Sequence, residues 1–370
     1  MKLFDPIRLR GLALANRVVV SPMCQYSAID GRATDWHLVH WAQMMMSGAS
    51  MFTIEATAVN AEGRISPGDL GLYDDACEEA IARNLARARA QCPPLAVALQ
   101  LAHAGRKASS RAPWDGGDLI LPVDGGWTPV APSAVPHAAH EPAPIALDEA
   151  GLVRVRDAFA DSARRAARAG IDALELHMAH GYLLHEFLSP IANRRTDRYG
   201  GDFESRIRFP LEVFDAARAA WPGDRPLGVR LSCTDWVDGG WTLEQSVELS
   251  RRLVARGADW IDASSGGVSP HQSIPLGPGY QVRFAGEIKR ATGATTIAVG
   301  LVTDAEQAAS IVAAGDADMV AMARAFLWEP RWAWQAAAVL GASVVPPPQY
   351  LRGAPRGAAA AFGVAKIGQR

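Results

Sequence analysis

Residues 171–182 read IDALELHMAHGY, an apolar run that closes on two imidazoles and a phenol. The run reads as a strand, in which alternate residues point to opposite faces. Ala173, Glu175 and His177 then share one face, and Leu174, Leu176 and Met178 the other. His180 and Tyr182 fall just past the strand end, in a loop. The H-x-x-H spacing alone favours a pair of structural histidines. Donors and acids crowded where a strand becomes a loop point instead to the edge of an active site, and the rest of the chain favours that reading.

Seven further runs have the same character: NRVVVSPM (16–23), SMFTIEATA (50–58), LAVALQLAH (95–103), PLGVRLSC (226–233), DWIDASSG (259–266), TTIAVGL (295–301) and ADMVAMARA (317–325). Amphipathic stretches separate them, among them 74–91, 147–170, 243–258 and 304–317. In the second of these, Leu152, Val155, Phe159 and Ala163 recur at helical spacing, and Gly170 follows as a C-cap. The last two repeat that design, with an acidic start, an apolar stripe and a closing glycine. Eight alternations of strand and helix predict an α/β fold of the (β/α)8 TIM-barrel type. A doubly wound sheet would carry a Gly-rich phosphate loop after its first strand, where this chain has SPMCQYS (21–27). Residues 104–146 break the pattern, with Pro and Gly throughout and Trp114 and Trp127 among them. A loop of that length after the third strand is expected to be a lid over the C-terminal mouth. LFDPIRLRGLALANR (3–17) reads as an N-terminal hairpin plugging the opposite end. Residues 1–353 are therefore expected to be one barrel domain, and 354–370 a flexible, basic tail.

At 370 residues the length alone allows one large barrel or two domains. Hydrophobic content of 49% and charged content of 21% are ordinary for a globular protein. Lys+Arg 37 against Asp+Glu 39 leaves a net charge of −2, which gives no electrostatic case for nucleic acid or an anionic membrane. No apolar run approaches a membrane span. The opening MKLFDPIRLRGL lacks the apolar core of a signal peptide, so a mature cytoplasmic chain is expected. Cys24, Cys77, Cys92 and Cys233 are widely separated, which fits a reduced protein without structural zinc or an iron–sulfur cluster.

Polar residues interrupt several predicted strand ends. Gln100 does so in the third strand, Glu175 and His177 in the fourth, and Arg230 in the fifth. Such groups are costly to bury unless paired, either by an internal carboxylate or by a ligand with carbonyl and N–H groups. The seventh and eighth strands end in AVGL (298–301) and AMAR (321–324). Loops at those positions of a barrel often bind phosphate, and Arg324 could pair with its charge. Together these features describe an elongated ligand, polar at one end and phosphorylated at the other.

SPMCQYS (21–27), EATAVNAEGRISPGDLGLYDD (55–75), QLAHAGRK (100–107), ELHMAHGYLLHEFLSPIANRRTDRYGG (175–201) and PPPQYLRG (346–353) resemble the Old Yellow Enzyme family of flavin-dependent ene-reductases, and within it the bacterial branch with a cysteine near the flavin. The resemblance spans about residues 2–353. It implies a non-covalent FMN at the barrel mouth, reduced by NADPH, and leaves NADH open as an alternative donor. By the same resemblance Ser21, Pro22, Met23, Cys24 and Ala56 would line the flavin ring, and Gln100 and Arg230 would bond its pyrimidine edge. Gly300, Ala323 and Arg324 would hold the phosphate. His177 and His180 would bind the carbonyl oxygen of an enone or enal, Tyr182 would supply the proton, and Tyr26 would contact substrate from the other side. Arg352 matches the family's arginine that reaches a neighbouring active site, which implies a homodimer or homotetramer. Ala323 stands where the family commonly has Gly, and Ala354 where close relatives often have Trp. Two rival readings are a metal hydrolase using His177, His180 and His185, and a non-catalytic FMN-binding redox sensor.

Overall fold

The computed structural model describes residues 2–355 and 357–363. Eight strands form the frame: β1 (Val18–Val20), β2 (Met51–Ala58), β3 (Ala96–Ala102), β4 (Ala173–Met178), β5 (Leu227–Ser232), β6 (Ile261–Ser264), β7 (Thr296–Ala298) and β8 (Met319–Met322). All pair in parallel with their neighbours, and β8 returns to β1, so the sheet closes into the expected barrel. The period-two pattern sorts the side chains. Leu174, Leu176 and Met178 pack outward under the helices, in one core with Leu152, Val155 and Phe159. Ala173 points inward with Met51, Ala98, Trp260 and Met319.

The barrel's N-terminal end is filled from outside. Strands Ile7–Leu9 and Leu12–Leu14 form an antiparallel hairpin whose Leu9 and Leu14 complete that inner cluster. Trp260 crosses the same layer only because position 228 is glycine. A Cβ there would lie 1.9 Å from the indole. The helices start where local chemistry places them. Asp74, Asp148, Asp202 and Asp304 each accept a backbone N–H from the first turn of the helix that follows, a cap worth about 1 kcal/mol. Gly170, Gly257 and Gly315 sit at the far ends with positive φ.

Four features depart from the sequence expectation. The eighth strand stops at Met322, because Ala323 caps a helix over Arg324–Trp328. Strand β2 carries a bulge: Ile54 pairs with Leu99 and Thr57 with Leu101, so Glu55 and Ala56 together face Gln100. The segment 104–146 holds three 3-10 turns and a parallel pair, Val130–Ala131 with Ile145–Ala146. Arg106 fastens it by donating to the carbonyls of Val135 and Pro136. Beyond Arg352 the described residues pack rather than hang free. Phe362 sits edge-on to Trp334 at 5.1 Å, and Val344 N–H donates to Ala361 O at 2.8 Å. The rest of the expected tail, 364–370, lies outside the described residues.

Candidate active site

The C-terminal end of β4 delivers His177, and the turn after it delivers His180 and Tyr182. The His177 Nδ1 accepts the Ala179 N–H at 3.2 Å, so the neutral ring carries its proton on Nε2. That Nε2 lies 3.3 Å from His180 Nδ1. The other ring nitrogen of His180 meets Ser264 Oγ at 2.7 Å. When the serine donates there, Nδ1 is left protonated, and the two N–H groups converge on one point. Burial, reinforced by the Arg230 charge, holds both imidazoles well below their ordinary range. Both are therefore neutral at pH 7, and in the tautomers given above both present an N–H.

The turn itself is strained and braced. His180 has φ +57° and Gly181 +73°. The His180 N–H donates to Ser232 Oγ at 2.9 Å, and the Gly181 N–H to His185 Nδ1 at 2.9 Å. Tyr182 follows with its ring 5.0 Å from His177, edge-on. Burial pushes its phenol well above the usual tyrosine range, so it stays protonated and able to donate.

Around this pair, strand register brings together further polar side chains. Gln100 on β3 pairs with Glu175 on β4, and Arg230 on β5 with Asp262 on β6. Gln100 Nε2 donates to Glu175 Oε1 at 2.8 Å, and Trp260 Nε1 to Oε2 at 3.1 Å. Arg230 Nε stands 3.3 Å from Asp262 Oδ2, without hydrogen-bond geometry among the described residues. Burial raises both carboxyls, and the Arg230 charge opposes it. Gln100 and Arg230 are thus partly satisfied from within, as the internal-carboxylate alternative had it.

The side chain of Arg230 also lines a cavity of about 160 Å³ together with Ser21, Gly300, Ala323 and Arg324. Residues at or just past the C-terminal ends of β1, β5, β7 and β8 meet there. Gly300 has φ +103°, and a Cβ on it would lie 2.8 Å from Gln281 Nε2. Ala323 has φ −102°, a conformation open to any residue, so its methyl costs no backbone strain. After Ser21 in the chain, Pro22, Met23 and Cys24 lead to Tyr26, whose ring meets Trp114 of the 104–146 segment edge-on at 5.4 Å. The Gln25 N–H, held by Glu55 Oε2 at 2.6 Å, ties this loop to the β2 bulge that carries Ala56. Burial, then Asp69 and Glu55, push the Cys24 thiol well up.

Residues 2–341 match the family described as NADH:flavin oxidoreductase / NADH oxidase. The chain belongs to this family. It is 42% identical over 353 residues to an NADPH dehydrogenase of Geobacillus thermodenitrificans, covering 95% of this chain and 98% of that one. An NADH:flavin oxidoreductase of Gibberella zeae is 41% identical over 347 residues, covering 89% and 83%. Among solved structures, morphinone reductase in complex with tetrahydroNAD superposes with a TM-score of 0.76 at 27% identity, over 94% of this chain and 93% of that one. The Old Yellow Enzyme resemblance therefore holds, and the chain is an oxidoreductase that uses FMN and NAD(P)H.

The residues present fit an FMN. The cavity runs from Arg230, on the side suited to the ring's polar edge, to Arg324, whose charge suits the phosphate, and the Gly300 position leaves no room for a side chain. His185, the third ligand of the metal-hydrolase alternative, is withdrawn from the site. Its Nδ1 accepts from Gly181, and its Nε2 lies 2.9 Å from Asp235 Oδ1, both side chains fully buried. Sequence reasoning overlooked Lys107, Ser232, Ser264, Gln281 and Glu55. The SSGG run (264–267) and the final lysine of QLAHAGRK were visible signals for two of these, Ser264 and Lys107. The bulge that places Glu55 had no local signal. Arg352 lies exposed on the 3-10 turn Pro348–Gly353.

Proposed function

We propose that this enzyme reduces the activated C=C bond of α,β-unsaturated carbonyl compounds in a ping-pong cycle. FMN, when bound, would supply the hydride, taken from NAD(P)H, for the β-carbon of the alkene. The observation that carries the reading is the convergence of His177 Nε2 and His180 Nδ1, 3.3 Å apart, beside the protonated Tyr182. The two N–H groups bind the carbonyl oxygen and stabilise the charge that develops there, as oxyanion donors do. Tyr182 delivers its proton to the α-carbon. Ser21, Pro22, Met23, Cys24, Ala56, Gln100 and Arg230 surround the flavin ring and its pyrimidine edge. Gly300, Ala323 and Arg324 hold the phosphate, and Tyr26 flanks the substrate.

The working unit is an oligomer in which Arg352 borders a neighbouring active site. Supporting this, an apolar groove of about 820 Å³ lined by Leu38, Val39, Ala42 and Tyr350 lies two residues from Arg352 in sequence, and Trp328 is 92% exposed. The four cysteines are free and, among the described residues, no helix is long and apolar enough to cross a membrane, which accords with a cytoplasmic enzyme. A non-catalytic redox sensor would need only the flavin contacts and would leave the His177–His180–Tyr182 set without use. Purified protein should be yellow, bleach anaerobically with NADPH, and regain its colour when 2-cyclohexenone is added. Persistent bleaching in the presence of enone would refute the proposal.

A further inference from the structure

We propose that Lys107 is a positioning residue of this site, holding the His180 turn and the Tyr182 ring in one arrangement through its ammonium group. The inference rests on the ene-reductase reading above and adds to it a residue that touches neither reacting carbon. Lys107 ends the 3-10 turn Gly105–Lys107, directly after β3. Its Nζ donates to the carbonyl of His180 at 2.9 Å and to that of Gly267 at 3.2 Å. The same Nζ lies 4.9 Å from the centroid of the Tyr182 ring, a cation–π distance.

Three loops therefore meet on one cation: those after β3, β4 and β6. The geometry demands something of that kind. His180 and Gly267 both have positive φ, +57° and +94°. They pack so closely that a Cβ on Gly267 would lie 2.5 Å from His180 Cα. Their two carbonyl oxygens consequently turn toward the same point, and an ammonium placed there removes their mutual repulsion. The alignment of His180 Nδ1 with His177 Nε2 depends on that backbone conformation, because the ring hangs from the strained residue.

Lys107 forms no ion pair among the described residues. The charged and titratable groups around it are Arg106 of its own turn, Glu186 of the helix Leu183–Leu188, Glu141 and His137 of the lid, and the two active-site histidines. Burial pulls its ammonium down to about 8, against the opposing pull of Glu186. The clamp is thus charged at neutral pH and loses its charge as the pH rises through that value.

Lys107→Met keeps the length of the side chain and removes its charge and its donors, whereas Lys107→Arg keeps both. Stopped-flow measurement separates reduction of the flavin by NADPH from its reoxidation by 2-cyclohexenone, and p-hydroxybenzaldehyde titration reads the donor pair. Lys107→Met is expected to retain FMN and its rate of reduction, while reoxidation slows about tenfold or more and phenol binding weakens by a like factor. Lys107→Arg should recover much of both losses. In the wild type, reoxidation should fall above about pH 8, and in Lys107→Met that basic limb should be missing. A Lys107→Met protein with unchanged reoxidation and phenol affinity overturns the proposal, as does an equal loss in both half-reactions. Should that variant not fold, Lys107→Gln takes its place, and unchanged reoxidation and phenol affinity there overturn the proposal. Failure of the wild type to pass electrons to the enone overturns the ene-reductase reading itself, a result distinct from any of these.

Discussion

His177 and His180 act as a pair because each is held by a different neighbour. Ala179 N–H fixes the proton of the first, and Ser264 sits on the far nitrogen of the second. Removing either imidazole leaves one donor for the developing oxyanion. His177→Ala and His180→Ala are each expected to lose about 3 kcal/mol of transition-state stabilisation, or 10²–10³-fold in reoxidation by enone. Reduction by NADPH should suffer far less, and stopped-flow traces of the two half-reactions check this. Cys24 illustrates a second consequence of burial. A raised thiol pKa means less thiolate at a given pH, and the thiolate is the nucleophile. At pH 8, iodoacetamide should alkylate Cys24 more than about tenfold slower than an ordinary thiol of pKa near 8.5, as followed by peptide mass spectrometry. Rapid alkylation would mean that the thiol is not so held. The sequence pointed to these residues because a period-two strand ending in H-x-x-H-x-Y is a local pattern. It could not show that Gln100 pairs with Glu175, since that contact depends on the register between β3 and β4.

At the scale of elements, the barrel was legible because the strand–helix units carry local signals: an apolar run in each, with an acidic N-cap before four of the helices and a closing glycine after several. Boundaries were less so. ADMVAMARA reads as one run, yet its last residues belong to a helix, because Ala323 turns out of the strand. The β2 bulge was invisible, since a one-residue register shift leaves no trace in composition. Nor did composition reveal that the segment after Arg352 packs back onto Trp334: alanines and glycines look like linker, and Phe362 is the one large apolar residue of the described part of that return. The end of β7 offers a test of how elements build the flavin site. Gly300 combines φ +103° with a close approach to Gln281. Gly300→Ala forces a left-handed alanine at a cost of about 1–2 kcal/mol. FMN dissociation measured by fluorescence should show affinity roughly tenfold weaker, with the barrel still folded by circular dichroism. Full FMN retention would place the phosphate elsewhere.

At the scale of the whole molecule, the barrel's outer face is not uniformly polar. Val39, Trp328, Leu327 and Val339 are exposed, and the groove near Tyr350 is apolar. If Arg352 serves a neighbour's site, Arg352→Ala should weaken phenol or substrate binding while the protein stays yellow. Mixing Arg352→Ala subunits with Tyr182→Phe subunits sharpens the test. In a reciprocal mixed dimer one site carries both defects and the other neither, so activity should exceed the weighted mean of the parents. Activity no higher than that mean would contradict the trans contact. The central claim is that the molecule assembles a carbonyl-oxygen clamp and a proton donor beside the flavin, and Tyr182 tests it most directly. Tyr182→Phe keeps the ring that His177 and Lys107 pack against and removes only the hydroxyl. The measurement is anaerobic stopped-flow of both half-reactions in this variant. Reduction by NADPH should be nearly unchanged, while reoxidation by 2-cyclohexenone should slow about 10²-fold or more, as expected when a general acid is lost. Equal changes in the two half-reactions, or none in either, would contradict the account.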